Sequence, residues 1–438
     1  MKSAAESTKA ATEAGNPNVE TYGEVFPDGS MIELVASATG EPSLLYFREG
    51  RVLVHTEIQH AGRIYQAQEL PPSILRATRL PRQPVDYGTI RHLFSELQDT
   101  FEQYLGFSRS SEAGVMFWVL TTWFCDCLSI PPTLWAQGAE LDLATRFFQL
   151  LHCVCRRPLR LTGVNRANFL TLPFDFRPVL LMNQSGLPIR LQELFCESNS
   201  RGSVVLGNRG QAFDVTCSKA IFLGMWGTPP PPDAGNFHIA LYPADHELPL
   251  LDERTLNAIA DYFQPRLLQY RLDCAKAVRE SQFVVSDLRL RTREFARILG
   301  ACIQGDPDLA LQAVAVARSQ DEIANRCTLD HAIIGVLWPR VHSNPTSVST
   351  AKMKIGAHLT PELNTYLRGC GETCEYTPEE VGKRVAKLGL SRKPTNAGTV
   401  LLLDRETTLR VHALARGYGM DKSVPGCPDC GRIEPSAE

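Results

Sequence analysis

The sequence predicts a multidomain α/β plus α protein, on three patterns. Short alternating segments separated by glycine-containing breaks open the chain, as expected of a small N-terminal β-rich module. From Pro131 to Gly224 strand-like and helix-like stretches alternate, which predicts an α/β core with a parallel sheet. From Asp252 onward apolar residues recur at helical spacing, and after Thr377 a basic helix runs into a hairpin.

Taken in order, residues 1–18 are small, polar and alanine-rich and are expected to be disordered. The β-rich module spans 19–86, with strands expected at Met31–Val35, Ser43–Phe47, Arg51–His55 and Arg63–Tyr65. Ile90, Leu93, Phe94, Leu97, Phe101 and Leu105 form one helical stripe, and Val115–Leu128 continues as a buried helix. The core, 87–227, then reads as a strand at Thr133–Gln137, a helix at Leu141–Cys155, strands at Asn168–Leu172 and Pro178–Met182, a helix at Ile189–Ser198, and strands at Val204–Leu206, Phe213–Val215 and Ala220–Leu223. A proline run at Thr228–Pro232 marks a boundary, and 228–342 holds the rest of the core and a helical linker domain. Arg266 and Arg271 in that region could reach nucleic acid, but are expected as solvated helix arginines. Ser343–Thr350 is a polar linker, 351–418 is the next domain, and 419–438 is a polar tail.

Thr377-Pro378-Glu379-Glu380 is a helix start, with a hydroxyl cap, proline at the first helical position and acids in the first turn. Val381, Val385 and Leu388 follow on one face while Lys383, Arg384 and Lys387 stay outside, and Gly389 ends the helix. Arg392 and Lys393 lead into a hairpin turning at Asn396-Ala397-Gly398, with Thr399–Leu403 as its return strand. A basic helix with a basic-edged wing predicts a winged helix that contacts DNA through Lys383, Arg384, Lys387, Arg392 and Lys393. The same shape also serves as a small protein-binding scaffold.

The composition narrows the partners. Hydrophobic content of 44% and charged content of 21% are those of an ordinary globular protein, and a net charge of -3 excludes a chain coated in basic residues. DNA contact must come from a local patch. With no apolar run near the roughly 18 residues a bilayer demands, and no secretory signal pattern, no membrane partner is expected and the cytoplasm is the default compartment. Most of the 13 cysteines lie in apolar segments, as free buried thiols do in a reducing compartment. Cys427-x2-Cys430 is different: two thiols around a tight turn supply half a zinc site, which Cys370 and Cys374 could complete. Zinc is the one cofactor the sequence suggests.

Four stretches, in order, carry a resemblance: Val119–Phe124 before Pro131-Pro132, a strand into Gly138 followed by a helix, Cys155-Arg156-Arg157-Pro158-Leu159, and Pro178–Met182. Together they resemble the P-loop ATPase domain of bacterial helicase-like and primase-associated proteins, many carried on mobile elements. The resemblance implies a nucleotide site at Gly138, Thr145, Asn183 and Gln184. The chain departs from that pattern where the chemistry lies. Gly138–Thr145 has no lysine for the β- and γ-phosphates, and it places Glu140 and Asp142 where a triphosphate would sit. Asn183 and Gln184 stand where the magnesium-holding acids belong. ATP is therefore not expected as a cofactor, and no catalytic residue is assigned. Glu140 and Asp142, with Asp126 or Asp175 nearby, are a rival metal set. The resemblance also places a histidine at His412, with packing or a backbone contact as its role. The function expected is that of a non-catalytic pseudo-ATPase, helicase-like and DNA-associated. The alternative is a scaffold that forms a homo-oligomer or docks onto an active helicase or replication protein.

Overall fold

A computed structural model describes residues 18–107, 109–138, 140–183, 187–207, 210–224, 235–242, 244, 246–285, 290–326, 329–342, 351–369, 375–396, 398–418, 424 and 427–430. The chain divides into two compact units, residues 1–318 and 319–438.

The first unit begins with β1 (Asn18–Thr21), β2 (Gly23–Val25), β3 (Met31–Ala36), β4 (Pro42–Arg48), β5 (Arg51–His55), β6 (Glu57–His60) and β7 (Arg63–Ala67). Strands β2-β3-β4-β5 form an antiparallel sheet, and β1-β7-β6 form a mixed one in which β1 runs parallel and β6 antiparallel to β7. The twofold alternation of β3 is used on both sides. Ile32 and Leu34 pack with Tyr22, Ile58 and Tyr65, whereas Met31 and Val35 join the main core. Glu33 shares the second face and is buried there.

Helices α1 (Pro72–Ala77), α2 (Ile90–Leu105) and α3 (Arg109–Trp123) follow. Thr89 caps α2 by accepting the His92 N–H at 3.2 Å, Gly106 ends it at φ 64°, and the predicted stripe from Ile90 to Leu105 is buried. The core is built from β8 (Thr133–Gly138), α4 (Leu141–Val154), β9 (Pro158–Leu161), α5 (Arg166–Phe169), β10 (Val179–Asn183), α6 (Ile189–Glu197), β11 (Val205–Leu206), β12 (Ala212–Phe213), β13 (Lys219–Phe222) and β14 (Asn236–Leu241). Five strands form a parallel sheet in the order β14-β8-β13-β10-β9, while β11 and β12 make a short antiparallel pair. The sheet is parallel as expected, with two strands beyond those foreseen, β9 and β14. The stretch expected as a strand at Asn168–Leu172 instead begins inside α5. Asn165 takes the Ala167 and Asn168 N–H groups in a capping box, and that local bonding outweighs strand propensity. Helices α7 (Glu253–Arg279), α8 (Leu290–Ala301) and α9 (Pro307–Arg326) follow the sheet.

The second unit contains α10 (Leu329–His342), β15 (Ala351–Lys354), a π-helical turn at Ile355–Leu359, α11 (Thr360–Gly369), α12 (Pro378–Lys387), β16 (Arg392–Thr395), β17 (Gly398–Leu403) and α13 (Arg405–Gly417). β15-β17-β16 is an antiparallel sheet. Ile333 and Leu337 of α10, Leu363 of α11, Val381 and Val385 of α12, Leu401 of β17 and Val411 of α13 share one core. Residues 1–17, the Thr228–Pro232 run, Ser343–Thr350, Cys370, Cys374, Gln184 and Ala397 lie outside the described residues.

Candidate nucleic-acid interface and metal centre

The predicted cap of α12 forms as a capping box: Thr377 Oγ1 accepts the Glu380 N–H while the Glu380 carboxylate accepts the Thr377 N–H at 2.8 Å. Val381 and Val385 turn inward, which leaves the opposite face to the cations. Lys383, Lys387, Arg392 and Lys393 are exposed. Lys383 pairs with Glu379 one turn back at 2.8 Å, and its side chain keeps 71% exposure. An exposed pair of this kind is weak and exchangeable. Arg392 donates to the Gly382 carbonyl at 3.2 Å, tying the hairpin to α12. Between these elements lies a groove of about 470 Å³, lined by Lys354, Pro378, Glu379, Lys383, Arg392 and Gly398 among others. Arg384 differs from its neighbours. Its guanidinium grips both carboxylate oxygens of Asp330 on α10, at 2.6 Å for the Nη2–Oδ2 contact, so it braces the helix from behind.

In the tail, Cys427 and Cys430 come together as predicted, and two histidines join them. His342, at the end of α10, and His412, inside α13, place their ligand atoms so that all four donors lie within 4.8 Å of one another. His342 Nε2 is 3.3 Å from Cys430 Sγ, His412 Nε2 is 3.3 Å from Cys427 Sγ, and the two Nε2 atoms are 3.2 Å apart. Each ring uses its other nitrogen on its own helix: His342 Nδ1 sits 2.7 Å from the Trp338 carbonyl and His412 Nδ1 2.8 Å from the Thr408 carbonyl. The backbone contact expected of His412 is thus present, and beside it a donor role no sequence spacing revealed. Asp429, inside the Cys-Pro-Asp-Cys turn, is buried and holds Arg405 at the start of α13, with one contact at 2.7 Å.

Gly138, Thr145 and Asn183, three of the four residues expected to form a nucleotide-site remnant, lie towards the carboxyl end of the parallel sheet. Only residues 139 and 140 separate β8 from α4, too short a span for a phosphate-wrapping loop. A Cβ on Gly138 would lie 2.8 Å from the Leu241 carbonyl oxygen, so the glycine serves close packing of β8 on β14. Thr145 and Asn183 do meet, with Asn183 Nδ2 donating to Thr145 Oγ1 at 3.1 Å. The pair is neutral and offers no carboxylate for magnesium.

No family model matches the chain, and none of the curated proteins does. Among solved structures it is similar to the C-terminal region of NrS-1. An apo form aligns at a TM-score of 0.36 and 10% identity, covering 85% of this chain and 96% of that one. A second apo structure, of residues 305–718, aligns at 0.33 and 11% identity with 85% and 95% coverage. At that level of likeness the site's own geometry carries the argument.

Asp126 and Arg271 occupy roles that sequence reading missed. Arg271, expected as a solvated residue of a helix, is 0% exposed: it donates to Asp126 Oδ1 at 2.8 Å and to Glu33 Oε2 at 2.9 Å. Arg156 and Arg157 complete the cluster, reaching Glu33 at 2.8 and 2.6 Å. Burial alone would raise the carboxyl pKa values of Glu33 and Asp126, but the guanidiniums override it, holding Glu33 at about 2 and Asp126 lower still. Asp126 is therefore engaged by arginine and is no partner for Glu140 or Asp142 in a metal set. Asp175 is exposed.

Proposed function

We propose that the chain is a DNA-associated protein whose second unit is a winged helix and whose parallel-sheet core does not hydrolyse nucleotide. The observation that carries this reading is the groove between the start of α12, the β15 turn and the β16–β17 hairpin, where Lys354, Lys383 and Arg392 stand against a single acid, Glu379. The order helix, strand, two helices and antiparallel hairpin supports a winged helix, with α12 as the element that meets the duplex. In this reading Lys383 and Lys387 face the DNA groove or its phosphates, Arg392 and Lys393 anchor the wing, and Lys354 adds a fifth cation. Arg384 leaves the contacting set because Asp330 already holds it. The short β8–α4 junction and the neutral Thr145–Asn183 pair support the absence of hydrolysis.

The test is fluorescence anisotropy of labelled duplex and forked DNA, with the full chain titrated at several salt concentrations. The parent is expected to bind with a steep negative salt slope. Replacing Lys383, Lys387, Arg392 and Lys393 with glutamine is expected to flatten that slope by about 0.9 per phosphate contact removed. A quadruple variant that binds with the parent's affinity and slope refutes the assignment. A parent that binds no DNA at low salt moves the reading to the scaffold, with a defined oligomer in sedimentation as its sign.

A further inference from the structure

We infer that His342, His412, Cys427 and Cys430 are the four ligands of a closed zinc site that fastens the 427–430 turn to α10 and α13. The inference goes beyond the DNA-binding reading and does not rest on it.

The hydrogen bonds at the far side of each ring decide its chemistry. A carbonyl oxygen only accepts, so the 2.7 Å contact to Trp338 and the 2.8 Å contact to Thr408 put the proton of each neutral imidazole on Nδ1. Both Nε2 atoms then carry bare lone pairs, and these face one another across 3.2 Å. Thiol protons from Cys430 and Cys427 could each satisfy one nitrogen, yet the two acceptor nitrogens would still lie 3.2 Å apart with no proton between them. A cation between the four atoms removes the conflict. Backbone carbonyls fixing the tautomer in this way are the outer shell that metal-bound histidines generally have.

The spacing fits tetrahedral zinc. Bonds of about 2.05 Å to nitrogen and 2.3 Å to sulfur give tetrahedron edges of about 3.3 Å between nitrogens and about 3.6 Å between nitrogen and sulfur. Three of the six separations are 3.2, 3.3 and 3.3 Å, close to those edges, and the other three lie within 4.8 Å, so a metal would draw the cysteines in slightly. Two thiolates and two imidazoles, with no oxygen donor among them, select zinc over magnesium or calcium. On binding, the two thiols release their protons, and their thiolate charges balance the dication. The centre is then neutral overall, which suits its half-buried position. Four protein ligands leave no open coordination position, so the site is structural rather than hydrolytic. The rest of the surroundings serve the same end: Trp338 lies 4.3 Å from the His342 ring and 5.0 Å from the His412 ring, and Arg405 clamps Asp429 between the two cysteines.

The experiment uses the full chain, free of any histidine tag, reconstituted with zinc, dialysed and assayed by elemental mass spectrometry. Cobalt is then exchanged in to read the coordination. The parent is expected to hold a single zinc, and its cobalt form to show thiolate charge-transfer absorption with the intense visible bands of a tetrahedral site. Cys427→Ser with Cys430→Ser is expected to abolish both signals. Cys370→Ser with Cys374→Ser is expected to keep them, and His412→Cys, which preserves four donors, to keep the metal while strengthening charge transfer. A parent that retains no zinc overturns the inference. So does a Cys427/Cys430 variant that retains it, or a Cys370/Cys374 variant that loses it. Should the Cys427/Cys430 variant not fold, His412→Cys and the parent's cobalt spectrum still decide.

Discussion

Replacing Glu33 with glutamine is the sharpest probe of the first unit. The buried cluster holds three arginines and two acids, a net charge of +1; Glu33→Gln makes it +2, because Arg156, Arg157 and Arg271 are left with Asp126 alone. Glutamine keeps the shape but accepts through one oxygen only and turns its amide N–H2 towards a guanidinium, so the loss is of charge and hydrogen bonds rather than volume. Removing one partner of a buried ion pair costs about 3–5 kcal/mol. Linkage gives a second figure. The pKa of Glu33, 2% exposed, is lowered from 4.5 to about 2, and at 1.36 kcal/mol per unit that is about 3 kcal/mol. With an unfolding entropy of roughly 2.1 cal/mol/K per residue over about 300 residues, this destabilisation lowers the melting temperature of the unit by about 5–8 °C.

The pH dependence checks the cause. The folded pKa of Glu33 lies below the unfolded one, so its contribution is complete above about pH 4.5 and is lost as pH falls from there towards 2. Urea unfolding of parent and variant at pH 7, 5, 4 and 3 is therefore expected to show a constant gap down to about pH 5 that narrows below it. A melting temperature within about 2 °C of the parent at pH 7, or a gap that stays constant to pH 3, refutes the reasoning.

Two further outcomes are expected. Leu337→Ala, a large-to-small change at a fully buried position of α10, is expected to cost about 2–5 kcal/mol and to lower the unfolding transition of the second unit, followed by limited proteolysis; an unchanged transition would contradict the core assignment. His152 is held neutral: burial lowers its pKa to about 4, with Nε2 donating to the Ala77 carbonyl at 2.8 Å and Nδ1 accepting from Arg79 at 3.2 Å. Its folded pKa lies below the unfolded 6.5, so stability falls as pH drops from about 6.5 to 4. His152→Gln is expected to flatten that part of the stability curve, and an unaltered slope would show that another group produces it.

What the sequence made legible and what it hid follow from the range of the forces involved. The cap of α12, the stripe of α2 and the alternation of β3 are local: each is fixed by residues within a few positions, so reading the chain in order finds them. Strand β9 escapes a sequence reading because Arg156-Arg157-Pro158 looks like a turn in isolation, and the two arginines before the strand find their acid only when Glu33, more than 120 residues earlier, folds over them. Arg271 is hidden for the same reason, since a helical arginine is solvated unless a distant carboxylate removes it from water.

The metal centre combines both cases. Cys427-x2-Cys430 announces itself by spacing, because a tight turn can present two thiols only from neighbouring positions. The histidines lie 85 and 15 residues before Cys427, on two helices whose apolar faces set their placement. Each histidine is oriented locally all the same: its Nδ1 meets the carbonyl one helical turn back, Trp338 for His342 and Thr408 for His412. That geometry leaves Nε2 as the outward donor whatever approaches it. The two helices therefore fix the donor atoms before the tail arrives, and the paired cysteines supply the remaining half of a tetrahedron.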